Sequence, residues 1–165
     1  MTNPKNDKEK EVKICDNKSV GMLIWQNDKL LLIERKLFPF GFAPPAGHID
    51  DKGSFENAAK EEVQEEVGLN LVKLELLTEG KKDNKCRREG GSWHYWKIYK
   101  VEAEGDLKPS KDETKQTGWY TREQIRNLSE RTARYLNGEI SEEEWQTHPG
   151  IETVWYEWFR ELKII

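Results

Sequence analysis

Hydrophobic and polar positions alternate along the chain in blocks that predict mixed α and β structure. Residues 19–25 are apolar and strand-like, Gln26-Asn27-Asp28 is turn chemistry, and 29–34 is apolar again, a pattern that predicts a β-hairpin. Residues 38–45 form an aromatic, Pro-rich stretch in which Pro39, Pro44 and Pro45 forbid a helix. Residues 54–67 predict a helix with Ser54 as its N-cap and Gly68 just past its end. A strand is predicted over 71–77, a polar loop over 79–91, a long strand over 92–103 and a second polar loop over 107–118. Thr121-x-x-Gln124 reads as a capping box opening a short helix. Further helix is predicted over 129–137, 141–145 and 149–162, the last carrying Val154, Trp155, Trp158, Phe159 and Leu162 on one side. Strands and helices mix without βαβ periodicity, so the class is α+β or mixed-sheet α/β. The expected organisation is a polar tail over 1–14, a core over 15–128 and a C-terminal helical extension over 129–165 packed on that core.

Composition narrows the class. Of 165 residues, 35% are hydrophobic and 35% charged, and seven are Trp, so the chain has the means to build a core. No apolar run approaches the roughly 18 residues of a membrane helix, and residues 1–13 are Lys- and Glu-rich without the apolar region of a secretory signal. A cytoplasmic protein without a membrane partner is expected. The two cysteines, Cys15 and Cys86, form no C-x-x-C, which excludes a zinc ribbon or a thioredoxin-like motif and leaves a Cys15–Cys86 disulfide open.

Charge locates the chemistry. The net charge is −4, yet residues 47–69 hold seven acids against two bases, so the rest of the chain is nearly neutral. That balance disfavours long nucleic acid as a partner and points to a local cation site. On a helix, Glu62, Glu65 and Glu66 fall within an arc of about 100°, next to an apolar stripe of Phe55, Ala59, Val63 and Val67. Three carboxylates on one face repel at about 0.2–0.5 kcal/mol per pair. A hard divalent cation such as Mg²⁺, which takes oxygen ligands, would reverse that penalty.

The segment from Gly47 to Leu69 resembles the signature box of the Nudix hydrolase family, G-x5-E-x7-R-E-U-x-E-E-x-G-U, with U an aliphatic residue. Here Gly47 is followed at the box spacing by Gly53, Glu61 and then Glu62-Val63-Gln64-Glu65-Glu66-Val67-Gly68-Leu69. The resemblance implies an α/β/α sandwich around a mixed β-sheet, here with extra C-terminal helices. It also implies Mg²⁺- or Mn²⁺-dependent hydrolysis of a nucleoside diphosphate linked to another group. By the family pattern the metal set is Glu62, Glu65 and Glu66 with Gly47, and Glu113, in the loop before Trp119-Tyr120, is a ligand or general base. Gly53 and Glu61 depart from the box Glu and Arg, which in the family support the loop and helix by pairing with each other. Two readings follow: an active site on a rebuilt scaffold, with Glu61 as an added acid, or a catalytically weak nucleotide-binding module.

Substrate-binding candidates surround this core. Arg35 ends the second predicted strand and Arg87 lies in a polar loop, and arginine grips phosphate oxygens bidentately. Trp93 and Tyr95 share one face of their strand, with His94 and Trp96 on the other, and Phe42 lies near the box; each is an aromatic that can stack on a base or pack in the core. His48 reads as a structural hydrogen-bonder, and the role of His94 stays open. The Trp-rich last helix caps the sheet or makes a homodimer contact.

Overall fold

The computed structural model describes residues 13–165; most of the expected tail, 1–12, lies outside the described residues. Seven strands and four helices follow in chain order: β1 (Lys18–Gln26), β2 (Lys29–Arg35), β3 (Phe42–Ala43), β4 (Ala46–His48), α1 (Phe55–Val67), β5 (Asn70–Lys82), β6 (His94–Glu104), β7 (Thr114–Tyr120), α2 (Arg122–Leu136), α3 (Glu142–Thr147) and α4 (Thr153–Glu161). They build one mixed sheet. β1 runs parallel to β6, and β5 lies antiparallel outside β6. β2 pairs β1 only at the hairpin end, Trp25↔Leu30 and Gln26↔Lys29. Beyond that point the two strands part. β4 then takes the edge of β1, while β3 and β7 take β2, all antiparallel.

Period-2 alternation in β1 and β2 sorts their side chains to two faces. Val20, Met22, Ile24, Leu31 and Ile33 pack with Ala58, Ala59, Val63 and Val67 of α1. Leu23, Leu30 and Leu32 pack with Ile125 of α2 and with Val154, Trp155, Trp158 and Phe159 of α4. Helices on both faces make the α/β/α sandwich that the resemblance implies. Trp155 lies so close to the sheet that a Cβ on Gly21 would run into its six-membered ring.

Several expected boundaries move. The loop expected over 79–91 begins only after Lys82, because β5 stays paired with β6 as far as Lys82↔His94. The loop expected over 107–118 ends at Glu113, since β7 pairs β2 from Arg35↔Thr114 onward. The two helical pieces expected after Thr121 are one helix, α2, whose capping box is present at Thr121 and Gln124. The boundary drawn at Leu128 falls inside α2. The last helix is shorter than expected, because Phe42 holds both Gly150 and Glu152 by backbone hydrogen bonds, at 2.9 and 3.0 Å, before α4 begins.

Candidate active site

The splay of β1 from β2 opens a cleft of about 920 Å³ whose lining includes Glu62, Glu65, Glu66, Glu113, Arg35 and Arg87. α1 presents the three box carboxylates because its apolar stripe fixes its rotation on the sheet. Its ends are set locally: Ser54 Oγ accepts the Asn57 N–H at 3.1 Å, and Gly68, at φ +72°, takes the left-handed turn that closes the helix. The carbonyls of Glu66 and Val67, which have no partner within the helix, accept the N–H groups of Ser110 and Lys108 at 2.9 and 2.8 Å. Those bonds draw the loop before β7 over the end of α1. Lys36 N–H donates to the Glu113 carbonyl at 2.9 Å, pinning the same loop to the start of the Pro-rich segment. Glu113, remote in sequence, is thereby placed in the cleft with Glu62 and Glu66.

Glu62 and Glu66 are buried and Glu65 is exposed. Burial pushes the Glu66 carboxyl well above the usual range; Glu62 and Glu113 add repulsion, and the Arg35 guanidinium partly offsets it. The Ala46 N–H reaches Glu66 Oε2 only at 3.4 Å. Glu62 is raised by burial as well, held back by its ion pair with Lys52 and raised further by Glu65 and Glu113. Gly47 faces Glu62 at such close quarters that any Cβ there would overlap the carboxyl group. The two buried carboxylates, Glu66 with one long donor and Glu62 with Lys52, stand against a backbone cleared of side chains, and with the exposed Glu65 in the same lining they offer the oxygen donors that a hard divalent cation takes.

The two departures from the box have local explanations. Gly53 stands at φ +92°, a conformation L side chains rarely adopt. Glu61 is exposed and lies outside the cleft lining, so it does not add an acid to the site. The loop is held instead by the Lys52–Glu62 ion pair and by Asn57 Nδ2, which donates to the Lys52 carbonyl at 3.1 Å. No sequence signal singled out Lys52 among the many lysines of this chain.

The other candidates divide. Arg35 lies in the cleft wall, where its Nε donates to the Pro39 carbonyl at 2.7 Å. Arg87 also lines the cleft. Trp93 and Tyr95 lie outside the lining: Lys81 covers the Trp93 ring, and the Tyr95 hydroxyl donates to Glu79 at 3.1 Å. The opposite face of that strand, His94 and Trp96, meets the cleft instead. Phe42 is buried in the core edge-on to Tyr120, whereas Phe38 is exposed at the cleft mouth.

Glu152, which the sequence reading passed over, is buried in the same cleft with its Oε2 4.0 Å from Arg35 Nε. Burial lifts its carboxyl to about 7 from an ordinary 4.5, despite Arg35. The folded state therefore binds this proton more tightly than the unfolded chain, and stability falls as pH rises from about 4.5 to 7. Glu152→Gln is expected to remove that loss, raising unfolding free energy at pH 8 by about 3 kcal/mol while changing little at pH 4. Urea unfolding at the two pH values checks this, and an equal effect at both would refute the ionisation as its source.

Comparisons with known proteins agree with this fold. A family profile for the NUDIX domain matches residues 16–156. Among solved structures, a NUDIX hydrolase from Nitrosomonas europaea is similar with a TM-score of 0.57 at 23% identity, covering 67% of this chain and 76% of that one. A MutT NUDIX hydrolase from Burkholderia pseudomallei is similar with a TM-score of 0.58 at 23% identity, over 65% of this chain and 84% of that one. The E. coli dihydroneopterin triphosphate pyrophosphohydrolase is similar with a TM-score of 0.57 at 17% identity, over 67% of this chain and 85% of that one. At these identities the structural likeness concerns the fold, whereas the family profile spans most of the chain together with its box: the chain belongs to the Nudix hydrolase family.

Proposed function

We propose that this protein hydrolyses a P–O–P bond in a nucleoside diphosphate derivative, with Mg²⁺ or Mn²⁺ held by Glu62, Glu65, Glu66 and Gly47. The observation that carries this reading is the convergence of Glu62, Glu65, Glu66 and Glu113 with Arg35 and Arg87 in one cleft. A divalent ion bound there would neutralise phosphoryl oxygens and lower the pKa of water at the site. Arg35 and Arg87 hold and orient the diphosphate from the wall. Glu113, exposed at the rim and anchored through its own backbone, accepts the proton of the attacking water. Phe38 offers a stacking surface to the nucleoside end.

The direct test is phosphate release, coupled to a phosphatase, across sugar nucleotides, dinucleotides and nucleoside triphosphates with Mg²⁺ or Mn²⁺. Turnover of at least one class is expected, and its loss in the Glu65→Gln, Glu66→Gln double variant. Tight nucleotide binding without turnover of any member would replace this reading with that of a binding module. Glu113→Gln is expected to lower kcat by about 10²-fold with little change in KM. An unchanged kcat would remove Glu113 from the proton-transfer step.

A further inference from the structure

Four side chains from four separate segments meet at one end of the sheet, where His48, Cys86 and His94 line the cleft. Cys15 precedes β1, His48 ends β4, Cys86 lies in the loop after β5, and His94 opens β6. One donor atom from each, two Sγ and two imidazole nitrogens, lies within 4.8 Å of every other. We propose that Cys15, His48, Cys86 and His94 bind one Zn²⁺ as a closed structural site.

The donor set and its surroundings both support this. Two thiolates and two neutral imidazoles form a tetrahedral set that suits Zn²⁺, and four protein ligands leave no open position. At Zn–S of about 2.3 Å and Zn–N of about 2.0 Å, tetrahedral donors stand about 3.3–3.8 Å apart. Cys15 Sγ and His94 Nε2 are already 3.2 Å apart. Every pair lies within 4.8 Å, so a contraction of at most about 1–1.5 Å brings the set into range. The complex is neutral overall, as a site at the margin of a core requires.

The sulfurs sit in matching cradles. The Asn17 N–H donates to Cys15 Sγ at 3.3 Å and the Arg88 N–H to Cys86 Sγ at 3.4 Å, each from two residues further on. Backbone donors aimed at sulfur favour the thiolate that a metal needs. The Cys86 turn is closed by its own N–H, which donates to the Gly91 carbonyl at 2.8 Å. Gly91 leaves the sulfur its space, since a Cβ there would overlap Cys86 Sγ.

The histidines point the same way. His48 Nε2 is buried without a hydrogen-bond partner among the described residues, a state that ordinarily calls for a bound ion or water. The His48 and His94 rings stand edge to face with centroids 5.4 Å apart. A Cys15–Cys86 disulfide would satisfy the sulfurs and leave the imidazoles unexplained. An S–H···N bond between Cys15 and His94 would leave His48 Nε2 without a partner. A zinc ion accounts for all four.

The site has a clear mechanical consequence. It joins the segment before β1, the strand that carries Gly47 and the loop that carries Arg87. The same junction is strengthened by Arg88, which grips Asp50 at 2.6 and 3.0 Å, and by Asp16 Oδ2, which accepts the Asp50 N–H at 2.7 Å. Zinc here would hold the wall of the same cleft, beside the carboxylates of α1 and distinct from them in donor chemistry.

Elemental analysis of the full-length protein, purified without chelator and refolded with Zn²⁺, tests this. One zinc per chain is expected for the wild type and for the Glu65→Gln, Glu66→Gln variant. In Cys86→Ser, zinc affinity measured against a chelating dye should fall at least about 100-fold. Replacing zinc by Co²⁺ in the wild type, which needs no variant, should give thiolate-to-cobalt charge transfer and intense tetrahedral d–d bands. Wild-type protein that retains no zinc and gives no such bands would overturn the proposal. So would a Cys15–Cys86 disulfide in protein prepared under reducing conditions with zinc present.

Discussion

Replacing Glu66 by glutamine is expected to abolish turnover and to make the metal-free protein more stable. Glu66 is buried, and its carboxyl is destabilised as an anion by burial and by Glu62 and Glu113, with Arg35 as the partial counterweight. An uncompensated buried charge of this kind persists because something other than folding uses it. In the reading above, its use is the divalent ion. Glutamine keeps the shape and removes the charge, so kcat/KM should fall at least about 10³-fold, which is about 4 kcal/mol of transition-state stabilisation. Unfolding free energy without divalent metal should rise by about 1–3 kcal/mol, the scale on which a poorly paired buried polar group destabilises. Mg²⁺ should stabilise the wild type by mass action and the variant much less. Thermal unfolding with and without Mg²⁺, beside a turnover assay, reads all three. A variant that keeps activity within tenfold of wild type, or the full Mg²⁺ shift, would remove Glu66 from the metal set.

The largest stability effect is expected at Trp155. It is fully buried, lies edge-on to Trp96 with ring centroids 5.5 Å apart, and packs beside Phe159. Trp155→Ala would leave a large cavity between α4 and the sheet. The expected loss is about 3–5 kcal/mol, much of the roughly 5–15 kcal/mol that holds a domain of this size together. Gly21 supplies an independent check. A Cβ there would meet Trp155 and come within 3.0 Å of Ile98 Cδ1, so Gly21→Ala should destabilise the wild type strongly. The same change in a Trp155→Phe background should be much milder, because the smaller ring vacates the space. Urea unfolding of the four proteins would show this coupling, and additive effects would mean that the two sites do not share a contact.

How much of this was legible in the sequence depends on the distance over which each feature is determined. α1 was legible almost to the residue, because its N-cap, its apolar stripe and the glycine at its end all act within a few residues of one another. That the three box acids share a face followed from helical spacing, whereas their expected role as metal ligands, like the family, came from the resemblance of the box. Strand ends were less legible. Nothing in the polar sequence after Leu77 says that β5 continues to Lys82, since that length is set by its pairing with β6. The aromatic face of β6 could not be chosen either. Trp93-His94-Tyr95-Trp96 alternates equally well in both senses, and only the neighbouring strands and α4 decide that His94 and Trp96 turn toward the cleft.

The four-residue Cys/His cluster lies furthest from sequence reading. Its donors are separated by 33, 38 and 8 positions, so no local spacing marks them. Parallel pairing of β1 with β6 and antiparallel pairing of β1 with β4 bring them to one end of the sheet. The sequence by itself determined the chemistry that fits within one helix: a face of carboxylates on an apolar stripe, with caps that fix its length. Tertiary structure decided which distant groups join that face, namely Glu113, Arg35, Arg87 and Glu152, and which cysteines and histidines meet beside it. The physical reason is that helical periodicity acts over a turn or two, whereas strand pairing and helix docking join residues whose separation along the chain carries no record of their neighbours.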